Sequence, residues 1–364
     1  MKLIALIFIA LVSMPAFSAD SPEAAAKKSS KTNAKVKNII DQMPQNSLQE
    51  AFRHLQKDYI KKETLTYEEL NRAALQGLLE RLDFGATLLT QSSRAERNSP
   101  FHFLAQEITR EAAYIRPGNY SIPEVAKLDQ AIKTFNGKPE LHTLILDLRS
   151  PQAQADFEVA AQFLSRFLPA DRLLFKNKQP EQKRPHLFFS KKAPQRWGRN
   201  LVLLIDRETG NVGEIIAAVL KQRTGCLIIG EKTPGLTVEY RDLPLGENRI
   251  LRYAIAEIVL DDDTSLFQKG VLPDLSSAFD KKSKYAVYKK SEKAQLKTFI
   301  FENQRPRLNE AALVAGTDPE LDYYLDRTAG RATSYDKKPL QDRPLQQAID
   351  YLTTTQFLHS SKKP

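Results

Sequence analysis

Polar side chains that could take part in chemistry follow two short apolar runs between residues 200 and 240. Thr209 and Asn211 come shortly after the first run, 201–205, and Lys232 comes shortly after the second, 226–229. A hydroxyl beside an amine is one form of the nucleophile–base pair used in covalent hydrolysis. Thr209 and Lys232 are therefore one candidate catalytic pair.

A structural role competes for Asn211. The apolar residues of 215–220 lie on one stripe of a predicted helix, which would begin close to residue 212. Asparagine is a favoured N-cap residue, and Glu214 stands three positions later, as in a variant of the capping box. We therefore predict that the Asn211 side chain caps this helix.

The elements that would position these groups are apolar strands alternating with amphipathic helices. Strands are predicted at 144–148, 201–205, 226–229 and 250–260, and helices at 46–89, 123–135, 156–168, 214–223, 318–325 and 345–352. The lysine-rich stretch 171–200 is predicted to be a surface excursion. This alternation favours an α/β fold with a mainly parallel sheet, whose chemistry would lie in the loops at the strand ends.

Several segments, in order, resemble the C-terminal processing (tail-specific) serine peptidases. The likeness rests on Tyr59 with 70–83, Tyr114-Ile115-Arg116 with 144–149, Glu214-Ile215 with 230–233, and 270–274 (Gly-Val-Leu-Pro-Asp). This resemblance spans about 49–275. It implies a crotonase/Clp-protease-like peptidase core with an N-terminal helical region and a cleft that accepts a peptide or protein.

The chain departs from that family at the positions that carry its chemistry. The family's serine nucleophile lies three residues before the Glu-Ile pair, where this chain has Asn211, and its lysine base corresponds to Leu236. An amide is a poor nucleophile and leucine accepts no proton. The family's Pro-Gly-Gly turn, which helps to form the oxyanion hole, is replaced by 150–154 (Ser-Pro-Gln-Ala-Gln), without glycine. The interval 90–107 is also too short for the family's PDZ domain.

These departures predict that no catalytic residue of the family is intact. One hypothesis is a catalytically impaired relative that serves as a peptide- or protein-binding scaffold. The alternative is an active serine-type endopeptidase that uses displaced residues such as Thr209 and Lys232.

The N-terminal residues 1–18 have the features of a secretory signal. Lys2 precedes an apolar run, and Ala16-Phe17-Ser18 forms a small-x-small cleavage site. We expect export to the periplasm or the extracellular space, with no transmembrane span after cleavage. The predicted layout is a signal peptide at 1–18, a linker at 19–45, an N-terminal helical region at 46–97, a peptidase-like core at 98–280 and a C-terminal extension at 281–364.

Composition argues against several other functions. The net charge of +10 suits loose contact with anions, but the basic run 176–184 lacks the aromatic residues of a nucleic-acid site, so no nucleic-acid partner is expected.

Cys226 has no second cysteine to pair with, and the five histidines show no metal-ligand spacing. Residues 261–263 (Asp-Asp-Asp) are predicted to form a solvated turn. We therefore predict no metal and no cofactor. The sequence does not indicate an oligomeric state.

Overall fold

The computed structural model describes residues 42–90, 101–151, 156–300, 310–331 and 340–360. The predicted signal peptide and most of the predicted linker lie outside them. The described residues divide into two compact units, one that ends at Glu80 and one that begins at Arg81. The helices are α1 (Gln45–Asp58), α2 (Tyr67–Leu82), α3 (Ile122–Asn136), α4 (Phe157–Leu164), α5 (Val212–Thr224), α6 (Lys281–Ser291), α7 (Glu310–Ala315), α8 (Pro319–Thr328) and α9 (Arg343–Ser360). The strands are β1 (Ala86–Thr90), β2 (Leu104–Glu107), β3 (Ala112–Arg116), β4 (Thr143–Asp147), β5 (Leu173–Lys178), β6 (His186–Phe189), β7 (Asn200–Ile205), β8 (Leu227–Gly230), β9 (Val238–Pro244), β10 (Arg249–Leu260) and β11 (Leu275–Ser276).

The larger sheet is six-stranded, in the order β11-β8-β7-β4-β3-β2. Its pairs are parallel from β11 to β3, and β2 is antiparallel to β3. Because these parallel strands point the same way, the loops after β4, β7 and β8 meet at one edge of the sheet. This confirms the predicted α/β core and brings the candidate site residues to one edge.

A second sheet is antiparallel and joins β1, β10, β5 and β6 in that order, with β9 also pairing with β10. Two predictions are wrong here. Residues 171–200 are not only a surface excursion, because β5 and β6 bury Leu174, Phe175 and Phe188. The predicted helical region 46–89 contains two helices but ends at Leu82, since residues 86–90 pair with β10 instead.

Both faces of the larger sheet are covered. One face packs against α3, α4 and α5. The other face packs against α6 and α9, through Val287, Tyr288, Leu345, Ala348 and Ile349. Part of the predicted C-terminal extension therefore completes the core. Within the described segments, no helix is long and apolar enough to cross a membrane.

Candidate functional site

Asn211 occupies a sharp turn between β7 and α5. Its backbone has φ 45° and ψ −107°, a combination that non-glycine residues rarely adopt and that costs about 1–3 kcal/mol. In hydrolases, a strained strand-to-helix turn presents the nucleophile at the end of a buried strand. The turn at Asn211 has this form, but its side chain ends in an amide.

The prediction that Asn211 caps α5 through its side chain is wrong. The side chain makes no capping hydrogen bond, and Asn211 Oδ1 is buried with no hydrogen-bond partner in the described chain. A capping side chain needs extended backbone angles at its own residue, whereas the positive φ of Asn211 directs the side chain elsewhere.

Leu236 lies against the same turn. A Cβ atom built on Gly210 would come within 3.3 Å of Leu236 Cδ1. The fold thus brings together positions 211 and 236, at which the family resemblance predicts the nucleophile and the base. The side chain at position 236 is apolar.

Glu214 holds the loop that carries Leu236. Its carboxylate is buried and accepts hydrogen bonds from the Thr233 hydroxyl at 2.6 Å, the Gly235 N–H at 2.5 Å and the Leu236 N–H at 2.6 Å. Burial raises the pKa of Glu214, and the hydrogen bonds from Thr233 and from backbone N–H groups oppose that rise. Sequence reasoning missed this role and treated Glu214 as part of a cap. The available signal was a single carboxylate within the otherwise apolar stretch 212–220 of the helix.

Thr209 has a structural position. Its side chain is fully buried, its hydroxyl donates to the Leu148 carbonyl at 3.0 Å, and the same oxygen accepts the Asp206 N–H at 2.9 Å. These bonds fasten the turn after β7 to the end of β4. Lys232, by contrast, is exposed to solvent. The contacts of Thr209 therefore do not favour its pairing with Lys232 as nucleophile and base.

Two further buried hydroxyls border this edge. Ser150 Oγ follows β4 and Thr237 Oγ1 follows Leu236, and neither has a hydrogen-bond partner among the described residues. A buried polar atom without a partner costs about 1–3 kcal/mol. The loops after β4, β7 and β8 thus each carry unused hydrogen-bonding capacity. Most of the segment 150–154, which replaces the family's oxyanion-hole turn in the sequence, lies outside the described chain.

A buried polar network braces the end of β4. Arg149 donates to both carboxylate oxygens of Asp147, at 2.8 and 2.6 Å, and to both oxygens of Asp342, at 3.0 and 2.8 Å. Tyr114 and Tyr288 donate to Asp147 at 2.7 and 2.8 Å. Burial alone would raise the pKa of Asp147, but the charge and hydrogen bonds of Arg149 outweigh it and lower that pKa to about 2.

A buried amine also lies at this edge. Lys284 of α6 contacts Asp206 Oδ2 at 2.5 Å and Glu208 Oε2 at 2.6 Å, and it donates to the Arg149 carbonyl at 2.9 Å. These three contacts match the three donors of a lysine ammonium. The arrangement suits an ion pair between α6 and the sheet rather than a general base.

Cysteine and metal chemistry find little support in the described residues. Burial raises the pKa of the Cys226 thiol, which makes it a poor nucleophile. In the part of the chain that the structure describes, no three histidine, cysteine, aspartate or glutamate side chains come together as a metal site.

Comparison with known proteins finds a peptidase family and solved structures that are similar to this chain. The model of Peptidase family S41 matches residues 111–277, just under half of the chain. No curated protein matches the chain. A protein of Parabacteroides merdae assigned as a peptidase has the same core fold, with a TM-score of 0.50 at 15% identity, covering 67% of this chain and 85% of its own.

Two further solved structures have lower TM-scores. The photosystem II D1 C-terminal processing protease gives a TM-score of 0.40 at 19% identity, covering 53% of this chain and 48% of its own. A lipoprotein from Streptococcus agalactiae gives a TM-score of 0.44 at 13% identity. The match covers 66% of this chain and 88% of the lipoprotein. Residues 111–277 are thus similar to Peptidase family S41, and within this matched region Asn211 takes the strand-to-helix turn and Leu236 lies against it.

Proposed function

We propose that this chain is an exported, catalytically impaired relative of the tail-specific peptidases that binds a peptide or protein segment in the cleft around Asn211. One observation carries the proposal. Asn211 keeps the strained turn that would present a nucleophile, while its side chain is an amide and Leu236 lies where a base would act.

The strained turn supports binding rather than loss of all function. A backbone strain of about 1–3 kcal/mol persists only where the surrounding structure enforces it, and such strain clusters at functional sites. The unpaired atoms of Ser150, Asn211 and Thr237 add hydrogen-bonding capacity at the same edge. An extended peptide, whose backbone carries one donor and one acceptor for most residues, would satisfy groups of this kind.

Export rests on residues 1–18 alone. Their charged start, apolar run and small-residue cleavage site are those of a secretory signal, so we place the mature protein in the periplasm or outside the cell. Its partner there would be a peptide or protein rather than a nucleic acid.

The test uses protein without residues 1–18 and fluorescein-labelled, unfolded casein as the probe. We expect saturable binding, seen as fluorescence anisotropy, and no release of labelled fragments. Asn211→Ala should weaken binding, whereas Lys192→Ala, at an exposed position outside the site loops, should not. If the protein binds neither casein nor any member of a random peptide library, the proposal of a peptide-binding scaffold is refuted.

The same assay separates the alternative of an active endopeptidase. Fragment release by the unmutated protein, lost in both Thr209→Val and Lys232→Ala, would establish that alternative. The buried hydrogen bonds of Thr209 lead us to expect a different result. Thr209→Val should lower the free energy of unfolding by about 1–3 kcal/mol, and Lys232→Ala should change it by less than about 0.5 kcal/mol.

A further inference from the structure

A second cleft, of about 850 Å³, lies at the edge of the larger sheet opposite to Asn211. Residues at the amino ends of β4, β7 and β8 form its floor, and Tyr351, Leu352 and Thr355 of α9 line it as well. This volume falls within the range of small-molecule sites, about 300–1,000 Å³. Neither the Asn211 turn nor the Leu236 loop contributes to it.

The charged side chains around this cleft are mainly cationic. Arg196, Arg199 and Arg223 line it, and Glu111 is the one acidic residue among the described residues that do so. Arg223 is neutralised by an ion pair with Asp261. The remaining guanidinium groups have no carboxylate partner within the described chain, so the cleft retains positive charge.

Arg199 is held rigidly in the wall. Its guanidinium donates to the carbonyls of Asn136, Lys138 and Leu141, at the end of α3 and in the segment that follows. It also lies 5.2 Å from the centre of the Trp197 ring. Neutral carbonyls orient the guanidinium but leave its charge uncompensated, so an anion would meet a preorganised cation.

Further hydrogen-bond donors are free to contact a ligand. Arg196, His142 and Asn200 line the cleft and are exposed to solvent. Guanidinium and amide N–H groups suit carboxylate and phosphate oxygens, and an arginine can bind either anion with two parallel bonds. The volume exceeds that of a simple inorganic ion.

We propose that this cleft binds a small organic polyanion that carries carboxylate or phosphate groups, with Arg196 and Arg199 as the principal contacts. The site is independent of the peptide cleft at Asn211.

The chain contains a single tryptophan, Trp197, in the wall of this cleft. Its fluorescence therefore reports on the cleft without a label. The mature protein is titrated at low ionic strength with citrate, as the carboxylate probe, and with fructose 1,6-bisphosphate, as the phosphate probe. Sodium chloride at matched ionic strength serves as the reference.

We expect a saturable change in Trp197 emission with at least one probe, at a Kd of about 1 mM or tighter, and the responding probe identifies the anion class. Arg196→Glu should weaken binding at least about tenfold, because it reverses a charge at the contact. Two variants are controls. Lys192→Glu also reverses a positive charge, but at an exposed position that does not line the cleft. Asn211→Ala changes the peptide cleft at the other edge of the sheet. Both should bind like the unmutated protein.

Two outcomes would overturn the assignment. One is a response to both probes no larger than that to sodium chloride. The other is saturable binding that Arg196→Glu leaves unchanged, with the fold of that variant confirmed by circular dichroism. Loss of casein binding at the other edge would leave this result untouched, so the two proposals can fail separately.

Discussion

The backbone N–H of Leu236 donates to Oε2 of Glu214 at 2.6 Å. Glu214 belongs to the first turn of α5, the helix that begins directly after Asn211. One buried carboxylate therefore fixes the position of Leu236 relative to the Asn211 turn. The two loops of the candidate site behave as one unit, although neither carries a hydroxyl–amine pair at the positions that the peptidase resemblance indicates.

Replacing Glu214 by glutamine should loosen this unit. An amide offers one acceptor oxygen where the carboxylate offers two, so at least one of the three donors loses its partner. We expect the free energy of unfolding, measured in urea, to fall by about 1–3 kcal/mol. Amide hydrogen exchange at Gly235 and Leu236 should become faster.

Glu231→Gln is the matched control for that change. Glu231 lies on the same loop but pairs with the exposed Arg207, so its loss should cost less than about 0.5 kcal/mol. Equal stability of Glu214→Gln and the unmutated protein would contradict the role assigned to Glu214.

The strands of the larger sheet could be predicted from sequence because helices cover both of its faces. Burial on two sides makes 144–146 and 201–205 continuous apolar runs. Strand β5 was missed because it alternates buried Phe175 and Asn177 with Lys176 and Lys178, which gives it a polar appearance.

The site was only partly predictable. Family resemblance indicated positions 211 and 236, whereas the strain at Asn211 and the contacts of Glu214 follow from backbone geometry that residue types do not encode. The pairing of Arg149 with Asp342 joins positions 193 residues apart, which no local pattern relates.

Asp342→Asn should destabilise the protein strongly. Asp342 accepts two hydrogen bonds from the buried Arg149, and both side chains are inaccessible to solvent. Removing one charge from a buried pair leaves its partner incompletely compensated, at a cost of about 3–5 kcal/mol. Urea unfolding measures this loss. Asp350→Asn is the control, within the helix α9 that begins directly after Asp342, because the Asp350 side chain is exposed and its carboxylate bonds only to Gln346 in the described chain. A similar small effect of both changes would contradict a structural role for Asp342.

Asp147 should make stability depend on acid pH. Its pKa of about 2 in the folded protein lies below the ordinary value of 3.8. The folded state thus releases this proton more readily, and the resulting stabilisation is present above pH 4 and lost as the pH falls from about 4 to 2. The loss amounts to about 2 kcal/mol for this one group.

Urea unfolding of the unmutated protein and of Asp147→Asn, from pH 6 to pH 2, isolates that contribution. The free-energy difference between the two proteins should be constant above pH 5 and shrink by about 2 kcal/mol toward pH 2. A difference that does not change with pH would show that Asp147 has an unshifted pKa.

The strained turn leads to a test by gain of function. In the double variant Asn211→Ser/Leu236→Lys, the new hydroxyl would take a turn that already has the nucleophile geometry, and the new amine would extend from a residue that already contacts Gly210. A lysine in partly buried surroundings has a lowered pKa, which favours the neutral amine needed to accept the hydroxyl proton. We expect hydrolysis of labelled, unfolded casein at least about tenfold above background, equivalent to 1.4 kcal/mol of barrier.

Each single variant provides a control, because a serine without its base, or a lysine without its nucleophile, should remain at background. Loss of hydrolysis on adding Glu214→Gln would show that the new activity depends on the loop that Glu214 holds. If the double variant folds, binds casein and still releases no fragments, the turn at Asn211 does not present its side chain as a nucleophile would require. The likeness to a peptidase site would then be confined to the backbone.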